Sequence, residues 1–145
     1  TLPGRFQVLP GRPQIILDVA HNVEAARNLA DNLATSGFAP ETIAVCGMLR
    51  DKDIAGVLRV LAPRITRWHL ASLPGPRAAS AEDLERNLRT VEPRTQAEKF
   101  PSPTEALAAA LERAEEGDKI VVFGSFLTVG EAMSWLKNNN KTSKR

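Results

Sequence analysis

The sequence has one cysteine, no tyrosine, two histidines and no glycine-rich phosphate loop, and each shortage closes off a class of protein. Cys46 alone cannot form an internal disulfide, so a disulfide-stapled secreted scaffold and a cysteine-based zinc site are both excluded. Its place in an apolar run fits a reducing cytosol, and a cytoplasmic protein is the expectation. With only His21 and His69 available, and His69 expected inside a strand, a histidine-rich metal site is not expected. The five Phe and two Trp do not alternate with basic residues, which argues against a stacking platform for single-stranded nucleic acid. No Gly-x-Gly occurs, hence no dinucleotide fingerprint, and no Gly-Lys-Ser/Thr, hence no P-loop. No apolar stretch approaches the roughly 20 residues of a membrane span, and the first residues carry no signal-peptide pattern.

What is there fits one ordinary domain. The chain has 145 residues, 43% of them hydrophobic and 25% charged, the composition of a globular fold with a single core. Nineteen Lys and Arg against seventeen Asp and Glu give a formal charge of +2. Four of those cations (Lys137, Lys141, Lys144, Arg145) stand in the last nine residues, which contain no acid. The rest carries fifteen against seventeen, a balance of −2. The basicity belongs to a tail, and the body has no positive field to attract nucleic acid.

Strand and helix patterns alternate along the chain. Residues 5–9 read as a short β segment closed by the turn Pro10-Gly11-Arg12-Pro13. Residues 14–17 form an apolar strand that ends at Asp18. From Asn22 the period changes, with Ala25, Ala26, Leu29, Ala30 and Leu33 on one helical face up to Gly37. Further strands are expected at 42–46, 67–70 and 119–123, and a short one at 95–100. Further helices are expected at 54–61, from Ser80 to Leu88, at 102–115 and at 126–137. Ser80 with Asp83 resembles a capping box. Strands such as Ile15-Ile16-Leu17 and Ile120-Val121-Val122-Phe123 are apolar without alternation, as when both faces of a parallel sheet are covered. The pattern predicts a three-layer α/β sandwich of the Rossmann-like kind with a mostly parallel sheet. Residues 1–138 form the domain and residues 139–145 a disordered basic tail.

In such a sheet ligands bind beyond the carboxyl ends of the strands. Those ends collect Asp18, His21 and Asn22, then Gly47 and Asp51-Lys52-Asp53, then Ser72 and Arg77, then Gly124, Ser125 and Phe126. Each has a plain structural reading beside the functional one. Asp18 or Asn22 caps the next helix, His21 satisfies a local hydrogen bond, Asp51-Lys52-Asp53 is a solvated turn, and Ser125 is a helix N-cap. A Ser125–His21–Asp18 hydrolase triad is conceivable, although the surroundings of Ser125 are not Gly-x-Ser-x-Gly. A non-catalytic nucleotide-binding or interaction module is the other alternative. Composition and spacing reach an α/β domain for a small polar or phosphorylated ligand.

Five segments carry more. Pro3-Gly4-Arg5-Phe6-Gln7, Leu17-Asp18-Val19-Ala20-His21-Asn22, Gly47-Met48-Leu49-Arg50-Asp51-Lys52-Asp53, Pro74-Gly75-Pro76-Arg77-Ala78 and Gly124-Ser125-Phe126 occur in this order. Together they resemble the C-terminal domain of folylpolyglutamate synthase/dihydrofolate synthase, in the Mur ligase superfamily. Two positions depart from that pattern: Val23 stands where the family usually has Pro, and Leu127 where it often has His. The resemblance implies an ATP-dependent amide ligase that adds L-glutamate to dihydropteroate or folates through an acyl phosphate. It implies Arg5, Asp18 and His21 on ATP, and Asn22, Lys52, Arg77 and Ser125 facing the substrate cleft, with no catalytic residue in this domain alone. It implies that the P-loop and the Mg²⁺ ligands lie in a separate N-terminal ATPase domain, so that this domain is inactive by itself. A monomer is expected.

Overall fold

The computed structural model describes residues 5–143, with side chains as far as Asn139. Pro3 and Gly4 of the first motif, and Lys144 and Arg145 of the tail, lie outside the described residues. Six strands and five α-helices alternate as expected: β1 (Gln7–Leu9), β2 (Gln14–Asp18), α1 (Val23–Ala34), β3 (Thr42–Cys46), α2 (Ile54–Leu61), β4 (Arg67–Ala71), α3 (Ala81–Val91), β5 (Gln96–Phe100), α4 (Pro103–Arg113), β6 (Lys119–Phe123) and α5 (Phe126–Ser143). The short strand expected at 95–100 is the edge strand β5 (Gln96–Phe100). Its half-exposed pattern is why it lacks the apolar signature of the inner strands. The expected end of the last helix near Lys137 is a correction: α5 runs to Ser143. After Gly130 that stretch holds no Gly or Pro to stop a helix, and the Asn139 side chain donates to the carbonyl of Trp135.

The strands are ordered β1-β2-β6-β3-β4-β5, all parallel except β1, which pairs antiparallel with β2. The last strand, β6, is therefore inserted between β2 and β3. Helices α1, α2 and α3 cover one face through Leu29, Leu58 and Leu84, over Ile16, Ala44 and Trp68. Helices α4 and α5 cover the other through Leu107 and Val129, over Leu17, Val45 and Val122. The successive residues Ile16 and Leu17 thus face opposite layers, and this is why β2 shows no polar alternation. Trp68, completely buried, meets the ring of Phe123 edge-on at 6.3 Å, a pairing worth about 1 kcal/mol beyond its buried area.

Helix starts follow their cap residues. Asn22 Oδ1 accepts from Ala25 N, Asp53 Oδ1 from Gly56 N, and Ser102 Oγ from Glu105 N. Both halves of the Ser80/Asp83 capping box are formed. At the opposite end of the sheet the Lys119 ammonium is buried, and it donates to Ser36 O, Ser36 Oγ and Gly37 O. Three protons meet three acceptors just past the end of α1, where a positive charge is favoured.

His69 on β4 titrates in a way that can be measured. It is almost wholly buried under α4, against the ring of Phe100 at 4.8 Å. Nδ1 lies 3.0 Å from Ala106 O, which can only accept, so Nδ1 carries the proton of the neutral ring. Nε2 has no hydrogen-bond partner, and Glu98 Oε1 stands 3.9 Å away. Burial pushes the His69 pKa below its usual 6.5; the Ala106 bond and Glu98 oppose this, while Arg67 and Arg113 add to it. The unfolded chain therefore takes up a proton before the folded one, and stability is lost as pH falls from about 6.5 toward the lowered value. Urea unfolding at pH 7.5 and 5.0 is expected to show this loss, and His69→Leu is expected to flatten it. An equal slope in both proteins would assign the effect to other groups.

Candidate functional site

The insertion of β6 builds the site. β2 and β3 each leave the sheet toward the α1–α2 face, whereas β6, between them, leaves toward the α4–α5 face. A crevice opens where neighbouring strands diverge in this way. Three loops therefore stand side by side: residues 19–22 after β2, residues 47–53 after β3, and Gly124-Ser125 after β6.

At the end of β2, Asp18 is only 3% exposed. Its Oδ1 accepts from Ala20 N at 2.9 Å and its Oδ2 from Phe6 N at 3.2 Å. Burial raises the carboxyl above its ordinary range, and the two N–H bonds and the Arg5 charge hold it down. Phe6 sits at φ +39°, a left-handed conformation that costs a residue with a Cβ roughly 1–2 kcal/mol. The Asp18 bond and the packing of the Phe6 ring on the core hold it there. The consequence is an exposed Arg5 whose charge acts on Asp18 at the end of β2. Asp18 is not a helix cap; Asn22 is.

The loop after β3 is tied to the loop before α3. Arg50 N donates to Arg77 O at 2.8 Å, Ala79 N donates to Met48 O at 2.9 Å, and Leu49 bridges Ala78. The Arg77 guanidinium lies 3.3 Å from Asp51, with both side chains largely exposed, so the ion pair itself adds little. Arg77 thus braces its neighbour loop, and it does not line the cavity described next.

At the end of β6, Gly124 takes φ +122°. Ser125 Oγ accepts from Thr128 N at 3.1 Å and lies 2.9 Å from Thr128 Oγ1, which donates to Gly47 O at 2.8 Å. A carbonyl only accepts, so the single Thr128 proton goes to Gly47 and the Ser125 proton must go to Thr128. The Ser125 hydroxyl is committed both as donor and as acceptor. It has no proton to give His21 and no place in the conceivable hydrolase triad; it is a helix cap.

His21, Leu49, Lys52, Gly124, Ser125, Phe126 and Leu127 enclose a cavity of about 180 Å³. His21 Nδ1 is shut off from solvent there without a hydrogen-bond partner. Phe126 and Leu127, 67% and 50% exposed, form an apolar lip. Arg5 and Asp18 stand over one strand end and Lys52 over another, with His21 between. A larger open groove of about 870 Å³ lies toward the other end of the sheet, against Leu9, Ile15, Leu111 and Trp135, far from these polar groups. Among the described residues no group of three His, Cys, Asp or Glu is placed to hold a metal ion. None of the described helices is long and apolar enough to cross a membrane. Thr128, Leu49 and the φ of Phe6 were not foreseen. The one available signal was the Ser-x-x-Thr spacing at 125–128.

A mostly parallel α/β sandwich whose polar groups converge at a strand-order reversal defines a strand-end ligand-binding domain. The family is specific: residues 4–126 match the model of the Mur ligase glutamate ligase domain, and the chain belongs to that family. It is 41% identical over 132 residues to the dihydrofolate synthase/folylpolyglutamate synthase of Escherichia coli, covering 91% of this chain and 30% of that protein. The Haemophilus influenzae enzyme of the same name is also 41% identical, over 82% of this chain and 28% of its own. Among solved structures, E. coli FolC in complex with ADP superposes with a TM-score of 0.89 at 38% identity, covering 97% of this chain and 33% of that one. A bifunctional folylpolyglutamate synthase/dihydrofolate synthase with Mn, AMPPNP and L-glutamate bound gives 0.86 at 43% identity, over 94% and 32%. The chain spans about a third of the length of the proteins it matches.

Proposed function

We propose that this chain is the C-terminal domain of an ATP-dependent ligase that adds L-glutamate to dihydropteroate, to folates or to both. The support is one observation: the family match runs through all three loops of the strand-order reversal, two of which bring His21 and Lys52 to one cavity. In the proposed reaction the γ-phosphoryl group of ATP passes to a carboxylate oxygen of the acceptor, and ADP departs. The amino nitrogen of L-glutamate then attacks the acyl carbon, a proton leaves the nitrogen and phosphate is released, closing the amide. The nucleotide and glutamate bound in the relatives' structures motivate these assignments.

In this reading Arg5 pairs with phosphate or stacks on the base, and Asp18 holds Arg5 in place. His21 bonds the ribose or a phosphate through its imidazole, beside Asn22 at the start of α1. Lys52 meets a carboxylate of L-glutamate at the cavity. Arg77 and Ser125 act through the loops they brace. The P-loop and Mg²⁺ belong to a separate N-terminal ATPase domain, since this sequence has no P-loop to hold the β- and γ-phosphates in line for transfer. The isolated domain is therefore inactive and binds ATP weakly. A cytoplasmic, monomeric enzyme completes the proposal.

The test is an NMR titration of the 145-residue chain with ATP. Shifts confined to Arg5, Phe6 and residues 18–22 are expected. No response at millimolar nucleotide favours the alternative, a non-catalytic interaction module.

A further inference from the structure

We propose that Thr128 is a positioning residue that sets the Lys52 loop against the start of α5 and so fixes the width of the cavity between them. Thr128 is completely buried in the first turn of α5, a position with no need of a hydroxyl for packing alone. Its hydroxyl spans from α5 to the first residue after β3, donating to Gly47 O at 2.8 Å, while Ser125 donates to it in turn. Gly47 N donates to Phe123 O at 3.3 Å. Gly47 is thus gripped at both its backbone groups by the strand and the helix on either side of Gly124. The loop that carries Leu49 and Lys52 to the cavity starts at that grip, and the opposite wall is Gly124 to Leu127.

The contact leaves no slack. A Cβ on Gly47 would lie 2.7 Å from Thr128 Oγ1 and 2.9 Å from Leu73 Cδ2, and one on Gly124 would lie 2.1 Å from Gly47 O. Two glycines allow two strand ends to approach until one hydroxyl can join them. Removing that hydroxyl leaves the Gly47 carbonyl buried without its donor, and the loop regains its freedom at its root. The other end stays anchored by Asp53 on α2. The Met48 and Arg50 backbone bonds to residues 77–79 also remain, so the motion is read at Leu49 and Lys52, the two residues of the loop that face the cavity. This inference rests on the proposed ligand role of that cavity only for its kinetic consequence.

The experiment compares Thr128→Val, which keeps the shape, with Thr128→Ser, which keeps the hydroxyl. Amide exchange is followed by NMR in the 145-residue chain. Thr128→Val is expected to speed exchange at Leu49 and Lys52 by about tenfold or more, with the interior of β2 and β6 unchanged, and Thr128→Ser to restore protection. In the intact ligase Thr128→Val is expected to raise KM for L-glutamate about tenfold with KM for ATP within twofold, and Thr128→Ser to reverse this. Unchanged loop exchange overturns the proposal, as does acceleration throughout the chain, or a Ser variant as damaged as the Val one. A KM moved by Lys52→Ala but not by Thr128→Val also overturns it. If Lys52→Ala leaves KM for L-glutamate unmoved, the substrate reading of the cavity has failed while the exchange result still decides the grip. Should Thr128→Val not fold, the hydroxyl proton of the unaltered chain serves. Slow exchange with a nuclear Overhauser contact to Gly47 supports the grip, and fast exchange overturns it.

Discussion

Gly124→Ala is expected to cost at least about 4 kcal/mol of folding stability, enough to leave little native protein at 37 °C. Two independent effects add. The residue sits at φ +122°, where an L side chain is strained by roughly 1–3 kcal/mol. The new Cβ would also lie 2.1 Å from the carbonyl oxygen of Gly47 and 3.0 Å from its carbon. Those atoms are backbone, at the end of a central strand, and they cannot swing aside. Relief requires β3 and β6 to part, which breaks the Gly47–Phe123 hydrogen bond and the Thr128 bond to Gly47. Urea unfolding monitored by tryptophan fluorescence reads the loss directly, since Trp68 packs on Phe123 beside the lesion. Gly75→Ala is the control: it also has positive φ, at 98°, but nothing lies within 4 Å of its Cβ, so only the conformational cost of roughly 1 kcal/mol is expected. Equal losses in the two variants would show that the close approach of the strand ends is not real.

The contrast between those two glycines also marks how far the sequence could be read. Gly75 and Gly124 both announce turns, and alternation of apolar runs with helical periods places both at element ends. The inner strands were legible because Ile15 to Leu17 and Ile120 to Phe123 are apolar on both faces. The capped helix starts at Asn22 and Ser80 were legible because one oxygen at one spacing does the work. β5 was harder, since an edge strand with Glu98 and Lys99 in it buries little. What no local pattern carried was strand order. The cavity exists because β6, last in sequence, lies between β2 and β3, and that placement depends on pairings more than seventy residues apart. The conceivable hydrolase triad failed for the same reason. Ser125 looked available until the distant Gly47 carbonyl fixed the direction of its hydrogen bond through Thr128.

Asp18→Ala has the second large effect expected, on ligand binding. Removing the carboxylate orphans two backbone donors, Phe6 N and Ala20 N, in a spot that is nearly closed to water. Each bond to a charged acceptor is worth roughly 1.5–3 kcal/mol. Without the Asp18 bond, only the packing of its ring is left to hold Phe6 at its left-handed φ, and the turn carrying Arg5 relaxes. If this chain serves the proposed ligase, a rise in KM for ATP of about tenfold or more is expected in the intact enzyme, with turnover reduced further as the proposed Arg5–phosphate contact loses its fixed position. Asp18→Asn separates charge from shape. Its single amide oxygen can serve Phe6 or Ala20 but not both, and its NH₂ then faces a donor. Asn is therefore expected to behave nearly as badly as Ala in ATP KM, whereas a requirement for shape alone predicts near-normal binding. Steady-state kinetics of the two variants, read beside amide exchange at Gln7 to Leu9, decide between these cases. If Asp18→Ala leaves ATP KM and turnover at their original values while β1 loosens, Asp18 serves the fold alone, and the nucleotide assignment of Arg5 falls with it.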